Sequence, residues 1–284
     1  MKAKLRGTEI YFDVAGMQLA PVKGDFVERP VLFLLHGGPG GDHLRFKQTS
    51  LELAECAQLV FIDHRGCGRS KKTKQSDYTL ENNVEDVEAL RKHLGLDKIC
   101  ILGGSYGGIV AQSYAIRYPK RVQKLILVCT APSKDTIEEA KEALKKQGTP
   151  QQIKMAEHLW SGTFKNPKHL GQFFEAMADM YSIKARTAKK KVFQTSHTLW
   201  SHEAFNQGFH FMKTFNLISR LKKITSPTLV LAGQDDWICS VNQSRIIAKH
   251  IKHAKLKIFK NCGHAISTDA HAGYIKSVSH FLLK

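Results

Sequence analysis

The chain has 284 residues, enough for one large α/β domain with a sizeable core, and its 42% hydrophobic, 24% charged and 9% aromatic residues exclude a disordered chain. Its formal net charge of +18 would suit a nucleic-acid binder. The lysines are scattered, however, and the short runs "SKKTK", "AKKKV" and "RLKK" belong to no helix-turn-helix, zinc-finger or RNA-binding signature, so the expectation is a well-solvated basic surface and no nucleic-acid partner.

The opening segment "MKAKLRGTEIYFDVAG" is positively charged but has no apolar stretch behind it, so no secretory signal is expected there. The first strong strand pattern is "VLFLL" at 31 to 35, far short of the roughly 20 residues that span a bilayer, so no membrane partner is expected. Next comes the glycine-rich "HGGPGG" at 36 to 41, a turn that exposes backbone N–H groups. "LVFID" at 59 to 63 reads as a second buried strand, and "ENNVEDVEALRKHLG" as a helix with Val84, Val87, Leu90 and Leu94 at helical spacing. A third strand, "KICILG" at 98 to 103, leads into "GIVAQSYAIRYP", a helix stopped by Pro119, and a fourth follows at "KLILVC", 124 to 129. Apolar strands alternating with helices imply a mostly parallel central sheet flanked by helices, an α/β fold.

From Pro132 to Lys223 no strand pattern is convincing. The text there is helical, lysine-rich and aromatic, with Trp160, Phe173, Phe174, Phe193, Trp200, Phe205, Phe209, Phe211 and Phe215. Such a stripe reads first as core packing. The α/β rhythm resumes with the strand "PTLVLAG" at 227 to 233, the helix "VNQSRIIAKHI", the strand "AKLKIF" and the helix "AGYIKSVSHFLLK". The expected organisation is therefore a core of residues 1–131 and 224–284, with a helical cap of 132–223 inserted between its strands. The six cysteines, at 56, 67, 100, 129, 239 and 262, show no CxxC spacing, and several lie in strand patterns; buried free thiols in a reducing, cytoplasmic compartment are expected.

Gly103-Gly104-Ser105-Tyr106-Gly107 fits G-x-S-x-G between a strand and a helix, the context that motif requires. A chain that turns sharply there needs glycines on both sides of the hinge. The turn presents the Ser105 hydroxyl at a helix N-terminus, whose partial positive charge favours an alkoxide. A serine needs a base, and His264 in "FKNCGHAIS" stands in a loop just past a strand. The imidazole needs an orienting acid, and "LVLAGQDDWICS" offers Asp235 and Asp236 in another such loop. The order Ser, Asp, His is that of the α/β-hydrolase arrangement, and loops after parallel strands converge at the carboxyl edge of a sheet.

"HGGPGG", "DHRGCGRS" at 63 to 70, "GGSYGG" at 103 to 108 and "GHAIS" at 263 to 267 together resemble the proline iminopeptidases, also called prolyl aminopeptidases, of the α/β-hydrolase fold. The resemblance is dense from about 30 to 132 and returns from about 225 to 268. It implies Ser105 as nucleophile, His264 as base, and Asp236 as acid, since Asp236 stands three residues after Gly233. It further implies backbone N–H groups of Gly38 and Tyr106 as oxyanion donors, an acyl-enzyme mechanism without metal or cofactor, and a small peptide substrate whose amine is held by a cap carboxylate. In "WSHEAFNQGFHFMKTF" that acid is Glu203, with Asn206 and Gln207 beside it. A carboxylesterase or lactonase would keep every one of these motifs and lack only the amine-binding acid. A ligand-binding protein without catalysis would have no use for an intact Ser, His and Asp. Epoxide hydrolases and dehalogenases place an Asp where Ser105 stands.

Overall fold

The structure, a computed structural model, describes residues 1–187 and 197–284; Phe193 and the "AKKKV" run lie outside the described residues. Every residue of β5 (Val31–Leu35) is buried, with Val31, Phe33 and Leu35 in one apolar core and Leu32 and Leu34 in another on the opposite face. The same alternation divides β7 (Ile99–Gly104), where Ile99 and Ile101 face one core and Cys100 and Leu102 the other, and β8 (Val122–Val128) divides likewise. Strands covered on both faces need helices on both sides, which is why their sequences are continuously apolar.

The main sheet has the order β1-β2-β6-β5-β7-β8-β9-β10. The run from β6 (Gln58–Ile62) through β5, β7, β8 and β9 (Thr228–Gly233) to β10 (Ala254–Phe259) is parallel. Two strands absent from the sequence expectation, β1 (Lys2–Leu5) and β2 (Thr8–Ala15), extend it antiparallel at one edge. Their signal is the alternation of β2, where Thr8, Ile10 and Phe12 point inward between half-buried neighbours. A separate hairpin of β3 (Leu19–Val22) and β4 (Asp25–Glu28) turns at Lys23 and Gly24, both at positive φ. At the other edge, β10 carries exposed Lys255 and Lys257, which discourage further strand pairing.

The core helices are α1 (Leu44–Ser50), α2 (Leu80–His93) and α3 (Tyr106–Arg117), followed after the fourth parallel strand by α4 (Thr136–Gln147), α5 (Pro150–Ser161), α6 (Pro167–Ala176), α7 (Ala178–Tyr181), α8 (Ile183–Thr187) and α9 (His202–Met212). After β9 come α10 (Val241–His250), α11 (Ile266–Asp269) and α12 (His271–Leu283). The six from α4 to α9 lie between β8 and β9 and announce themselves locally. Thr149 and Gln152 form a reciprocal capping box around Pro150 at the start of α5, Gly162 ends that helix in the left-handed conformation, and Asn166 and Ser201 cap α6 and α9. Their aromatic side chains interlock: Phe164 packs edge-on against Phe173 and Phe205, and Phe174 stacks on Trp200 at 4.4 Å.

The order of the central strands decides where a site can form. From β5 the chain passes to β6 on one side and then to β7 on the other, so a crevice opens beyond the carboxyl ends of β5 and β7, where the two connections diverge. At that point the start of α3 presses on the end of β5. A Cβ on Gly107 would collide with the Leu35 carbonyl oxygen and stand 2.6 Å from that of His36, and one on Gly103 would meet Gly107 in turn. Gly107→Ala should therefore lower unfolding free energy by about 3 kcal/mol in urea titrations. Gly95→Ala, where φ is positive but nothing approaches within 4 Å, should cost only about 1 kcal/mol.

Candidate active site

Ser105 occupies the hinge between β7 and α3 at φ 54° and ψ −122°, a conformation rare for any residue but glycine. The hinge is held from both sides: Ser105 N–H donates to Val128 O at 2.9 Å, and Thr130 Oγ1 donates to Ser105 O at 2.7 Å. Because Tyr106 opens α3, its N–H has no acceptor within the helix, and the residue lines the cavity at the crevice end of the sheet.

Asp235 and Asp236, equivalent as neighbours in sequence, separate in the structure. Asp235 is exposed and, among the described residues, accepts only the Cys262 N–H. Asp236 is buried; its Oδ1 accepts the N–H groups of Ile238 and Cys239, and its Oδ2 accepts Nδ1–H of His264 at 2.8 Å. The two loops meet because Gly233 has no side chain: a Cβ there would strike Gly263 O, beside His264. Tyr181 braces the imidazole edge-on at 5.4 Å. His264 and Ser105 line one cavity of about 180 Å³, together with Gly38 and Tyr106. The structure thus brings five of the expected residues together, Asp236 standing directly behind His264.

The glycine-rich turn is buttressed from below by the segment 63 to 70. Asp63, fully buried, accepts His43 N–H and His43 Nδ1–H at 2.8 Å each on one oxygen and Arg69 N–H on the other. His64 N–H donates to Nε2 of His36, whose Nδ1 donates to Gly37 O. Arg65 makes a two-pronged ion pair with Asp86 of α2, which also takes Arg6. From above, Gly40 and Ser201 exchange close backbone contact, with Ser201 N–H on Gly40 O at 2.8 Å, and Pro39 abuts Gly208. The turn is clamped between the sheet and α9.

A family model for the α/β-hydrolase fold matches residues 30–270. The chain is 32% identical to the proline iminopeptidase PfmaB of Pestalotiopsis fici, over 96% of this chain and 99% of that protein, and 31% identical to a proline iminopeptidase of Saccharolobus solfataricus, over 98% and 90%. The chain belongs to the proline iminopeptidase family of α/β hydrolases. A solved proline iminopeptidase from Mycobacterium smegmatis superposes with TM-score 0.73 at 21% identity, covering 99% of this chain and 97% of that one. As a member of this hydrolase family the protein is an enzyme.

Against that membership, the cap acid stands apart. Glu203 lies in the first turn of α9 and does not line the cavity. Phe205, Phe209 and Met212 of α9 do, and two residues along a helix turn the side chain through about 200°, so Glu203 faces the other way, toward Tyr78. Burial first, and the negative charge of Glu203 besides, hold the Tyr78 phenol above its ordinary range. Asn206 is occupied as well, exchanging both amide hydrogen bonds with the Phe164 backbone. The carboxylate that does line the cavity among the described residues, Asp42, accepts Leu44 N–H and Leu199 N–H. Sequence reasoning missed Asp42, whose signal was its place directly after "HGGPGG", and also missed Arg45 and Trp200 in the cavity wall.

Cys129 Sγ, an Asp236 oxygen and a His264 nitrogen lie within 4.8 Å of one another, the spacing of a metal site. The chemistry does not fit one: Asp236 and His264 are spent on each other, and burial, followed by the Asp236 charge, pushes the Cys129 thiol well above its ordinary value, away from the thiolate a metal needs. All six cysteines are free and buried, and no helix among the described residues is long and apolar enough to cross a membrane.

Two predictions test this geometry. Asp236→Asn should lower kcat on any turned-over substrate by about 10⁴, as loss of the imidazole's orienting acid does elsewhere, and Asp235→Asn should stay within a fewfold of wild type. Burial, the largest cause in each case, lowers the pKa of both His36 and His64, so the folded protein refuses protons that the unfolded chain accepts below its ordinary value of 6.5. Stability from these groups is present above 6.5 and lost as pH falls below it. The slope is up to about 1.4 kcal/mol per pH unit for each imidazole. His64→Phe, which keeps a ring against Tyr106, should reduce that acid slope by about one such increment in chemical denaturation between pH 6.5 and 5.

Proposed function

We propose that the protein is a serine hydrolase that works through an acyl-enzyme on Ser105 and releases the N-terminal residue of small peptides. The observation that carries the reading is the 2.8 Å hydrogen bond from His264 Nδ1 to buried Asp236, with His264 and Ser105 facing one cavity. Asp236 fixes the imidazole with its proton on Nδ1, leaving Nε2 to accept a proton from Ser105 Oγ. Oγ then attacks the scissile carbonyl, and the oxygen that becomes negative is received by the N–H groups of Gly38 and Tyr106. His264 returns its proton to the departing amine as the C–N bond breaks. Water, deprotonated by His264 in turn, attacks the acyl carbon and frees Ser105. Nothing in these steps calls on a metal or cofactor. Residues 132–223 act as a cap on the core of 1–131 and 224–284, and their Phe205, Phe209 and Met212 supply an apolar wall against the acyl group.

The names of the curated relatives support the peptidase reading. A second reading, a carboxylesterase or lactonase with the same triad, is favoured by one observation: among the described residues the cavity wall holds no carboxylate beyond Asp42, which accepts two backbone N–H groups, to meet a substrate amine. A parallel screen of amino-acid arylamides, p-nitrophenyl esters and lactones decides between them. Ser105→Ala should reduce every activity found by at least about 10⁴; a variant that kept its rate would remove Ser105 as nucleophile.

A further inference from the structure

Five carboxyl side chains are buried among the described residues: Asp42, Asp63, Asp86, Glu88 and Asp236. Four of them meet a basic side chain: Asp63 the His43 imidazole, Asp86 the guanidinium groups of Arg6 and Arg65, Glu88 that of Arg91, and Asp236 the His264 ring. Among the described residues Asp42 alone of the five makes no ion pair, and it alone lines the cavity that holds Ser105. Its two oxygens accept one backbone N–H each, from Leu44 and Leu199, which leaves about half of a carboxylate's acceptor sites unused. The His36 imidazole is close enough to feel the Asp42 charge, but burial, its largest influence, lowers its pKa and keeps it neutral. The guanidinium in the cavity wall, that of Arg45, lies toward Thr268 and feels the charge of Asp269. A buried carboxylate that meets no cation is costly, and in a cavity wall a ligand can supply one.

The place of Asp42 in the fold suits one cation in particular. Asp42 closes the glycine-rich turn, and its Oδ2 ties that turn to Leu199, next to Trp200, whose ring stacks on Phe174 in the cavity wall. A Cβ on Gly41, the residue before it, would stand 3.8 Å from Trp200 Cζ3. Asp42 therefore stands where the turn that carries the Gly38 N–H meets the aromatic wall of the acyl side. In a peptide the free amine is borne by the carbon next to the first carbonyl, so a carbonyl oxygen seated on Gly38 and Tyr106 brings the amine toward this junction. We propose that Asp42 holds the protonated amine of the substrate, in place of a carboxylate from the cap, and so selects N-terminal residues whose amine is free. This deepens the peptidase reading and rests on it, with Ser105 as nucleophile. The ammonium supplies the missing counter-charge, donates a charge-assisted hydrogen bond to an unused acceptor site of Asp42, and lies beside aromatic rings, surroundings that favour a cation.

The alternative is that Asp42 only straps the chain at Leu199 to the glycine-rich turn. Two matched pairs separate these roles: proline 4-nitroanilide against cyclopentanecarboxylic acid 4-nitroanilide, and proline benzyl ester against benzyl cyclopentanecarboxylate. Each pair shares ring size and leaving group and differs in the amine. An ammonium also activates the carbonyl beside it, so the reading is how far the preference for the amine member changes on substitution. Asp42→Asn should lower that preference in kcat/KM by at least about tenfold, chiefly by raising KM for the amine member, and Asp42→Glu should keep part of it. An Asp42→Asn protein that still cleaves the anilide, slower or not, with its preference unchanged overturns the proposal and leaves the peptidase reading standing. A lowered preference in the ester pair with no turnover of the anilides would sink the peptidase reading and leave Asp42 in its role. Should Asp42→Asn fail to fold, Asp42→Ser, whose hydroxyl can still accept Leu44 N–H, reads the same change. Should neither pair be turned over, calorimetric binding to Ser105→Ala compares prolinamide with cyclopentanecarboxamide. Binding of the amine at least about tenfold tighter, brought to parity when Asp42→Asn is added, supports the proposal; equal binding, or a preference that survives Asp42→Asn, ends it.

Discussion

The contact between the start of α3 and the end of β5 sets the geometry of everything else at this site. There two chain segments approach so closely that positions 103 and 107 have no room for a Cβ, and the chain between them bends through a conformation that Ser105 would not adopt on its own. Hydrogen bonds to Val128 and from Thr130 hold the bend against relaxation. The strain is small against a fully buried sheet, each of whose central side chains contributes on the order of 1.5–3 kcal/mol. The same closeness that strains Ser105 brings it beside the glycine-rich turn leaving β5: a Cβ on Gly37 would stand 3.1 Å from that of Ser105.

Around that hinge the protein is organised as a set of clamps on loops. Asp63 and the paired imidazoles of His36 and His64 hold the glycine-rich turn from the sheet side, and the Ser201 backbone holds it from α9. Asp269 holds the His264 loop to α8 through four hydrogen bonds. The buried charges in these clamps are paired or fully hydrogen-bonded, the condition under which removing one partner costs far more than the pair contributes. Rigid loops at the carboxyl edge of a sheet suit chemistry in which charge develops at one oxygen and must be met without rearrangement.

Much of this was legible in the sequence because its signals are local. The parallel strands appear as continuous apolar runs, the hinge as G-x-S-x-G between a strand and a helix, and the resemblance to proline iminopeptidases as four short motifs spread over the core. β1 and β2 went unread: β1 is only four residues long, and β2, with one face half open to water, alternates instead of running apolar. The segment "DHRGCGRS" was recognised as a motif, but its work as a buttress depends on His36, His43 and Asp86, which reach it only in three dimensions. Glu203 shows the converse. Its position in the chain suggested a ligand for an amine, and the helical phase of α9, set by Phe205 and Phe209 packing inward, turned it toward Tyr78.

By itself the sequence determined the α/β alternation, the order of Ser105, Asp236 and His264 along the chain, and the family, because strand periodicity and turn chemistry are written within a few residues. The preference for Asp236 over its exposed neighbour came only through a resemblance, and the structure supplies the contact with His264; tertiary structure alone decided that Glu203 faces away from the cavity and that Arg45 joins its wall beside α11. These are matters of which face a side chain presents and which distant loop it meets. A one-residue step on a loop or a 100° step on a helix reverses the answer, and only the packing of the whole chain fixes that step.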